Sequence, residues 1–269
     1  MNFVGLITNF LLVCLIFFPL ERLLSLRAQQ KIFRPHWQTD FIHVFATGFL
    51  FRVSTILLIS LAVFYLENLV PASFRAIVAS QPYWLAFVEI LVIADLGFYF
   101  VHRAFHAIPW LWRFHVIHHS IEEMDFLAAY RVHPIDQILT RGATLIPIFL
   151  LGFAADAILL FGAVYQWQSV LIHSNVRIAV GPLRWIVASP EFHHWHHANH
   201  PEAMDKNFSA QLSIIDFLFG TSYLPRGKRP VKYGVDDPVP ASYISQLAYP
   251  LQRPQVTGAR GRLSNMANC

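Results

Sequence analysis

The sequence predicts an all-α, multi-pass transmembrane helical bundle of about four membrane-embedded helices or hairpins. A cytoplasmic helical cap is expected to hold a histidine-rich dimetal site. Three observations predict this. The chain is 55% hydrophobic and only 13% charged, where an ordinary soluble domain carries about 25% charged residues. Its apolar residues come in long runs, and a helical crossing needs about 20 of them. Its histidines gather in dense clusters at the ends of those runs.

The first run, Phe3 to Leu20, lacks a preceding basic region and a following small-residue cleavage site. It is expected to be a retained membrane helix rather than a cleaved signal. Arg22, Arg27, Lys31 and Arg34 follow it, which places that loop in the cytoplasm. The second run lies within Phe41 to Val70 and is interrupted by Arg52. We expect an interfacial helix over 37–51 and a crossing from Val53 to Val70, with Arg52 snorkelling at its start. A functional intramembrane arginine is the alternative. Pro71, Ser80 and Pro82 mark an outer loop. The third run, Tyr83 to Val101, returns to the cytoplasm and delivers His102 there.

Residues 102–142 contain no run long enough to cross, so they are expected to form cytoplasmic or interfacial helices. Residues 143–171 are apolar again, divided by Pro147, Gly152 and Asp156 into runs of about ten and fifteen residues. If the histidines on either side serve one site, this stretch must go in and come back. A helical hairpin follows, dipping at least partway into the bilayer and returning His173 to the cytoplasmic face. Residues 180–225 are expected to be cytoplasmic. Beyond Gly227 the chain is rich in Pro, Gly and Arg, which predicts a poorly ordered or surface-wrapping tail. The division is then 1–82 N-terminal membrane helices, 83–225 catalytic domain and 226–269 cytoplasmic tail.

The formal net charge of +4 is small and sits near the apolar runs. It suits phospholipid head groups better than nucleic acid, for which no motif is present. Cys14 and Cys269 form no metal motif.

The chemistry rests on the histidines. His102 and His106 are four apart and share a helix face. His115, His118 and His119 have the spacing HxxHH, and His193, His196 and His197 repeat it. These are eight candidate ligands in three boxes, with His173 a ninth. A structural zinc takes about four ligands and a catalytic zinc about three, so the number asks for two metals. Imidazole suits Fe, Zn, Cu and Ni alike. A neutral imidazole shell leaves the metals' charge uncompensated, so nearby carboxylates are expected to support the ligands: Asp95, Glu122, Glu123, Asp125, Glu191 and Asp205. His36 and His43 read as ordinary interfacial residues, and His194 and His200 fall outside the box spacing. His133, in RVHP, is a ligand or a hydrogen-bonding support. Trp110, Trp112, Phe114, Phe126 and Trp195 are expected to pack the site or line an apolar entry.

At these residues the chain resembles the membrane-bound fatty acid hydroxylase/sterol desaturase superfamily. The resemblance covers roughly Asp95 to Pro225. It rests on DLGFYFVHRAFH, LWRFHVIHHS with EEMD, RVHP, IHSN, HHWHH, DKNF and IDFLFGT, in that order. It implies a helical membrane oxidoreductase with two iron ions facing the cytoplasm. Such an enzyme uses O2 and two electrons to hydroxylate or desaturate a C–H bond of a sterol, fatty acyl or sphingoid-type lipid. By box position His102, His106, His115, His118, His119, His193, His196 and His197 carry over as metal ligands, and His173 with them. Some members place a further histidine four residues after that position; here it is Arg177. No fused electron-transfer domain is visible, which implies a separate donor of cytochrome b5 or ferredoxin type.

Two other functions are the alternatives. A membrane zinc hydrolase would need an activated water, usually a carboxylate base, and fewer ligands. A metal-binding or transport protein would spread its histidines along a path through the membrane. The boxes instead gather at one depth.

Overall fold

The computed structural model describes residues 3–252, and among these the chain is helical with no strand. Two isolated bridges, Ser25 to Val176 and Ala198 to Tyr233, are the only extended pairings described. Helix α1 runs Phe3–Leu23. α2, Trp37–Ile42, passes through a π-helical turn, His43–Thr47, directly into α3, Gly48–Leu66. α4 is Ala72–Ala79 and α5 is Tyr83–Ala107. α6 is Pro109–His119, α7 Pro134–Leu151, α8 Ala155–His173 and α9 Pro190–His196. Two short helices follow, α10 Ser213–Leu218 and α11 Tyr243–Ala248.

Four stretches are long and apolar enough to cross a membrane: 4–23, 37–69, 83–107 and 155–173. Those containing α1 and α3 reach a mean hydropathy of 2.1. They leave Leu15, Ile56, Leu57 and Phe64 exposed. Side chains of this kind facing outward over whole helices suit lipid, not water, and the chain is an integral membrane protein.

Proline sets the helix starts. Pro109, Pro134 and Pro190 open α6, α7 and α9, where the missing N–H costs nothing. Between α5 and α6 the single residue Ile108 is extended, so the chain turns sharply there. That turn folds the last coil of α5 back toward α6 and brings the first two histidine boxes together.

α5 is the central helix. Ala86, Ile90 and Ala94 pack into one buried cluster with Ile148 of α7 and Ala157, Phe161 and Tyr165 of α8. Gly97 lets α5 approach α7 closely: a Cβ there would fall inside contact distance of the Ala143 carbonyl. Against the other side of α8, Phe10, Val13 and Phe17 of α1 pack with Val44, Phe126 and Val170.

The structure differs from the sequence expectation at several boundaries. The helix continues through Arg52, and its irregularity is the π turn at 43–47. There buried His43 bonds Thr47 Oγ1 at 3.0 Å and Gln246 Oε1 at 2.9 Å. α5 extends to Ala107, so His102 and His106 lie within it. The hairpin over 143–171 exists, but its first arm begins at Pro134, and the arms have 18 and 19 residues. That is about 27 Å each, close to the hydrocarbon thickness. Pro147 stays inside α7 and Asp156 lies in the first turn of α8, its carboxylate accepting from Ala157 N at 2.8 Å. The divider is Gly152, whose φ of 82° suits a helix C-cap and a residue without Cβ. The tail up to residue 252 wraps the surface and is pinned by buried Tyr233, Tyr243 and Gln246. The rest of the tail, with Cys269, lies outside the described residues.

The close α5–α7 approach yields a test. Gly97→Leu should cost about 3 kcal/mol by forcing two backbones apart. Thermal unfolding in detergent should show a clear fall in Tm; an unchanged Tm would contradict this packing.

Candidate metal centre

Nine buried histidines converge into two adjoining clusters. His102, His106, His115, His119 and His196 form one, and His118, His173, His193 and His197 the other. Within each, one ring nitrogen per residue lies within 4.8 Å of all the others, so each could hold a metal ion. The clusters abut: the His119 and His197 rings stack with centroids 4.5 Å apart. These are the nine histidines singled out in the sequence.

Helical geometry deals them out. Residues i and i+4 differ by about 40° around a helix, while i+3 falls about 60° to the other side. In HxxHH of α6 the outer pair, His115 and His119, therefore serves one cluster and His118 the other. At α9 the assignment is reversed: His193 and His197 go to the second cluster, His196 to the first. The third and fourth positions of each HxxHH box thus feed two sites rather than one.

The hydrogen bonds fix the tautomers. A carbonyl or carboxylate can only accept, so the imidazole facing it must donate. His102 Nδ1 donates to the Phe208 carbonyl at 2.6 Å and His115 Nδ1 to Asp136 at 2.6 Å. His118 Nδ1 donates to the Arg131 carbonyl at 3.1 Å and His173 Nδ1 to the Ser169 carbonyl at 2.6 Å. His196 Nδ1 donates to the Lys206 carbonyl at 2.8 Å. The Nε2 of each neutral ring is then a bare lone pair. Yet Nε2 of His102 faces Nε2 of His115 at 2.9 Å, and Nε2 of His173 faces that of His118 at 3.1 Å. Two lone pairs cannot bond each other. A shared cation resolves the clash, which is what a metal ligand set requires.

Burial disfavours the charged form of several of the clustered rings. It pushes the pKa of His118, His119, His193 and His197 well below the ordinary imidazole value, with neighbouring histidines adding to the effect. His196 is pushed down to about 3, mainly by burial. The donor set is thus nitrogen-only and buried, and it fits a borderline transition-metal ion.

The supporting shell differs in part from expectation. Asp205 does meet a ring, its Oδ1 lying 3.2 Å from His106 Nδ1. Asp95 touches none: it accepts the backbone N–H groups of Ala210, Gln211 and Leu212 at 2.6–3.1 Å. Asp125 is turned to Arg34 at 2.7 Å, and Glu191 to Arg184 at 3.3 Å. Glu122 and Glu123 line a polar cavity with Arg34, His36 and Arg131, and none of the nine clustered histidines lines it. Each of the latter four sits in a loop or first helical turn, where a cation or the surface is nearer than the clusters.

Asp136 was missed. It lies in the first turn of α7, just past RVHP, and that position was the available signal. Asp216 was missed too; it accepts from Phe208 N and Ser209 N, both at 2.8 Å. Asp95 and Asp216 together clamp segment 208–212, whose first carbonyl orients His102. Asp205 and Asn207 adopt φ of 54° and 60°, a conformation that Asn and Asp tolerate better than most. The double turn aims the Lys206 carbonyl at His196 and the Asp205 carboxylate at His106. That is the physical content of DKNF.

His133 belongs to the fold rather than to either cluster. It caps α7, accepting from Ile135 N at 3.1 Å, and donates to the Leu247 carbonyl at 3.3 Å. His194 donates to the Ser174 carbonyl and accepts from Tyr233. His200 lies beside Glu202, and His36 is exposed. α8 ends at His173, so Arg177 is outside the helix and in the bridge region, N–H to the Leu24 carbonyl. A side chain there is out of helical register with His173. Trp112 packs on His106 and His119, whereas Phe114 packs on His133, Phe126 on Phe17 and Trp195 on Tyr223. Trp110 is exposed. A cavity of about 90 Å³ adjoins both clusters, walled by Phe98, Tyr165 and Ile172 and reaching His102, His115, His118, His173 and His193.

Comparison with known proteins agrees with this geometry. Residues 87–221 match the fatty acid hydroxylase family model. The chain is 36% identical over 163 residues to ornithine lipid hydroxylase OlsE of Rhizobium tropici, covering 61% of this chain and 49% of that protein. It is 31% identical over 158 residues to alkylglycerol monooxygenase of Xenopus tropicalis, covering 58% of this chain and 33% of that one. It is 33% identical over 149 residues to the Homo sapiens alkylglycerol monooxygenase, covering 54% and 32%. The chain therefore spans about half or a third of the length of these relatives. No solved structure matches it. With the histidine boxes and the family match spanning the same residues, the chain belongs to the fatty acid hydroxylase family, within the fatty acid hydroxylase/sterol desaturase superfamily.

Proposed function

We propose that the protein is a membrane-bound di-iron oxygenase that inserts oxygen into, or desaturates, a C–H bond of a lipid. The observation that carries this is the pairing of unprotonated imidazole nitrogens in two abutting clusters. Lipid as substrate is supported by the membrane helices around the cavity, and by relatives named for ornithine lipid and alkylglycerol. Those names, hydroxylase and monooxygenase, favour hydroxylation over desaturation.

His102, His106, His115, His119 and His196 would hold one iron, and His118, His173, His193 and His197 the other. Iron held there would supply O2-dependent oxidation of the C–H bond. The chain's own residues do the rest. Asp136 and Asp205 and the carbonyls of Arg131, Ser169, Lys206 and Phe208 keep the Nδ1 protons of His115, His106, His118, His173, His196 and His102, so that the Nε2 atoms of these six rings stay aimed inward. Phe98, Tyr165 and Ile172 orient an apolar chain and keep water from the reacting carbon. The electrons come from a separate donor of cytochrome b5 or ferredoxin type. The histidine-bearing ends of α5 and α8 share the cytoplasmic side with the basic residues of 22–34. Residues 83–225 act as the catalytic domain.

A zinc hydrolase is disfavoured because nine imidazoles exceed its needs, and a transport path because they meet in one place. Metal analysis of purified protein should find about two irons per chain, consistent with two nitrogen-lined sites; one zinc and no iron would point to the hydrolase. His118→Ala and His196→Ala should each abolish the O2-dependent lipid product while leaving the protein in the membrane. Full product from both variants would end the proposal. Asp136→Ala should weaken metal retention about tenfold or more through loss of the His115 Nδ1 acceptor, read as metal content after dialysis against a chelator.

A further inference from the structure

The cavity beside the histidines is not a plain hydrocarbon slot. Its walls include two carboxamides, Gln137 of α7 and Gln211 of the clamped loop. Gln211 is 2% exposed, and neither its side-chain oxygen nor its nitrogen has a partner among the described residues. Its backbone is fully engaged, with N–H to Asp95 and the carbonyl taken by Gln168 Nε2 at 3.1 Å. The loop is therefore held firmly, and the side chain is presented with its own bonds unmade. The Gln137 side-chain oxygen is likewise buried without a partner. Arg141 lies on the same wall, its guanidinium 4.0 Å from the Tyr165 ring centroid. A buried amide without a partner is costly, and a site carrying two of them favours an occupant that satisfies them.

We propose that this cavity binds a lipid whose oxidised carbon lies close to an oxygen function, a hydroxyl, ether or carbonyl, and that Gln211 and Gln137 recognise that oxygen. An amide both donates and accepts, so it pairs with any of these groups. The nearby guanidinium adds a positive field that favours an oxygen over an ammonium. The apolar walls of Phe98, Tyr165 and Ile172 take the carbons beyond it. This rests on the oxygenase reading above and deepens it: bare alkyl chains are poor substrates, and discrimination is made by two neutral side chains outside the set of nine histidines.

Native mass spectrometry of the purified protein in detergent, titrated with palmityl alcohol or with hexadecane, tests this without relying on turnover. Wild type should bind the alcohol at least about tenfold more tightly, as sites built to pair a hydroxyl do. Gln211→Leu and Gln137→Leu should each remove that preference while retaining binding of the alkyl chain. Because Gln137 lies on a regular helix, its variant serves if Gln211→Leu fails to fold. Equal binding of both probes by wild type, or an unchanged preference in the leucine variants, overturns the proposal. His196→Ala separates the two ideas: it should lose oxidation yet keep the preference for the alcohol. Oxidation surviving in His196→Ala sinks the oxygenase reading and leaves the binding preference to be judged on its own.

Discussion

The close approach of ring nitrogens that carry no proton constrains the rest of this molecule. Taking nine imidazoles out of water is tolerable only if they are neutral, since an unpaired buried charge costs several kcal/mol, roughly. Neutral rings with Nε2 inward need an acceptor for each Nδ1 proton on the outside. The polypeptide around the clusters provides six of those acceptors, while the buried Nδ1 atoms of His193 and His197 have none among the described residues. Carbonyls of Arg131, Ser169, Lys206 and Phe208 come from four different segments, and Asp136 and Asp205 supply carboxylates. The left-handed turns at Asp205 and Asn207, and the clamps at Asp95 and Asp216, exist to present such groups. An ion held by such a set is also a folding element. Structural zinc contributes about 10–16 kcal/mol in small domains, as much as the whole stability of an ordinary domain, about 5–15 kcal/mol.

The N-terminal helices lie outside the family match, but they are built into the same support. Arg34 pairs with Asp40 at 2.5 Å and with Asp125 at 2.7 Å, and Asp40 in turn holds Arg131, whose carbonyl orients His118. Glu21 accepts the backbone N–H of Phe126 and of Asn175, just after His173. Gln30 donates to the Met124 carbonyl. Removing one partner from a buried ionic set of this kind costs about 3–5 kcal/mol, because the remaining charge is stranded. The packing and the charge network therefore run across residue 82.

How much was legible in the chain follows from how local each signal is. Apolar runs and histidine spacing are local, so the helical class, the membrane helices and the nine converging histidines could be read directly. Boundaries set by tertiary contact could not. Pro147 looks like a divider in sequence, but neighbouring helices keep it within α7, and the turn goes to Gly152. The π turn at His43 is fixed by Gln246, about two hundred residues away. The carboxylates were the weakest reading because an acid near a histidine in sequence says little about its partner. Asp95, Asp125 and Glu191 each found backbone or a guanidinium, while Asp136 and Asp216 reached the site through helix starts and loop clamps.

The division of ligands has a consequence for how the two sites relate. α6 gives two histidines to one cluster and one to the other, and α9 does the reverse. Neither cluster can be displaced by moving a single helix: a rotation of α6 swings His115 and His119 with His118, and so disturbs both. The separation between the sites is thus set by the mutual register of two short helices, each opened by a proline and each closed at its histidines. Interiors packed at crystal-like density do not deform continuously, so this register is held rigidly. Helices that contribute to both clusters hold the two at one spacing.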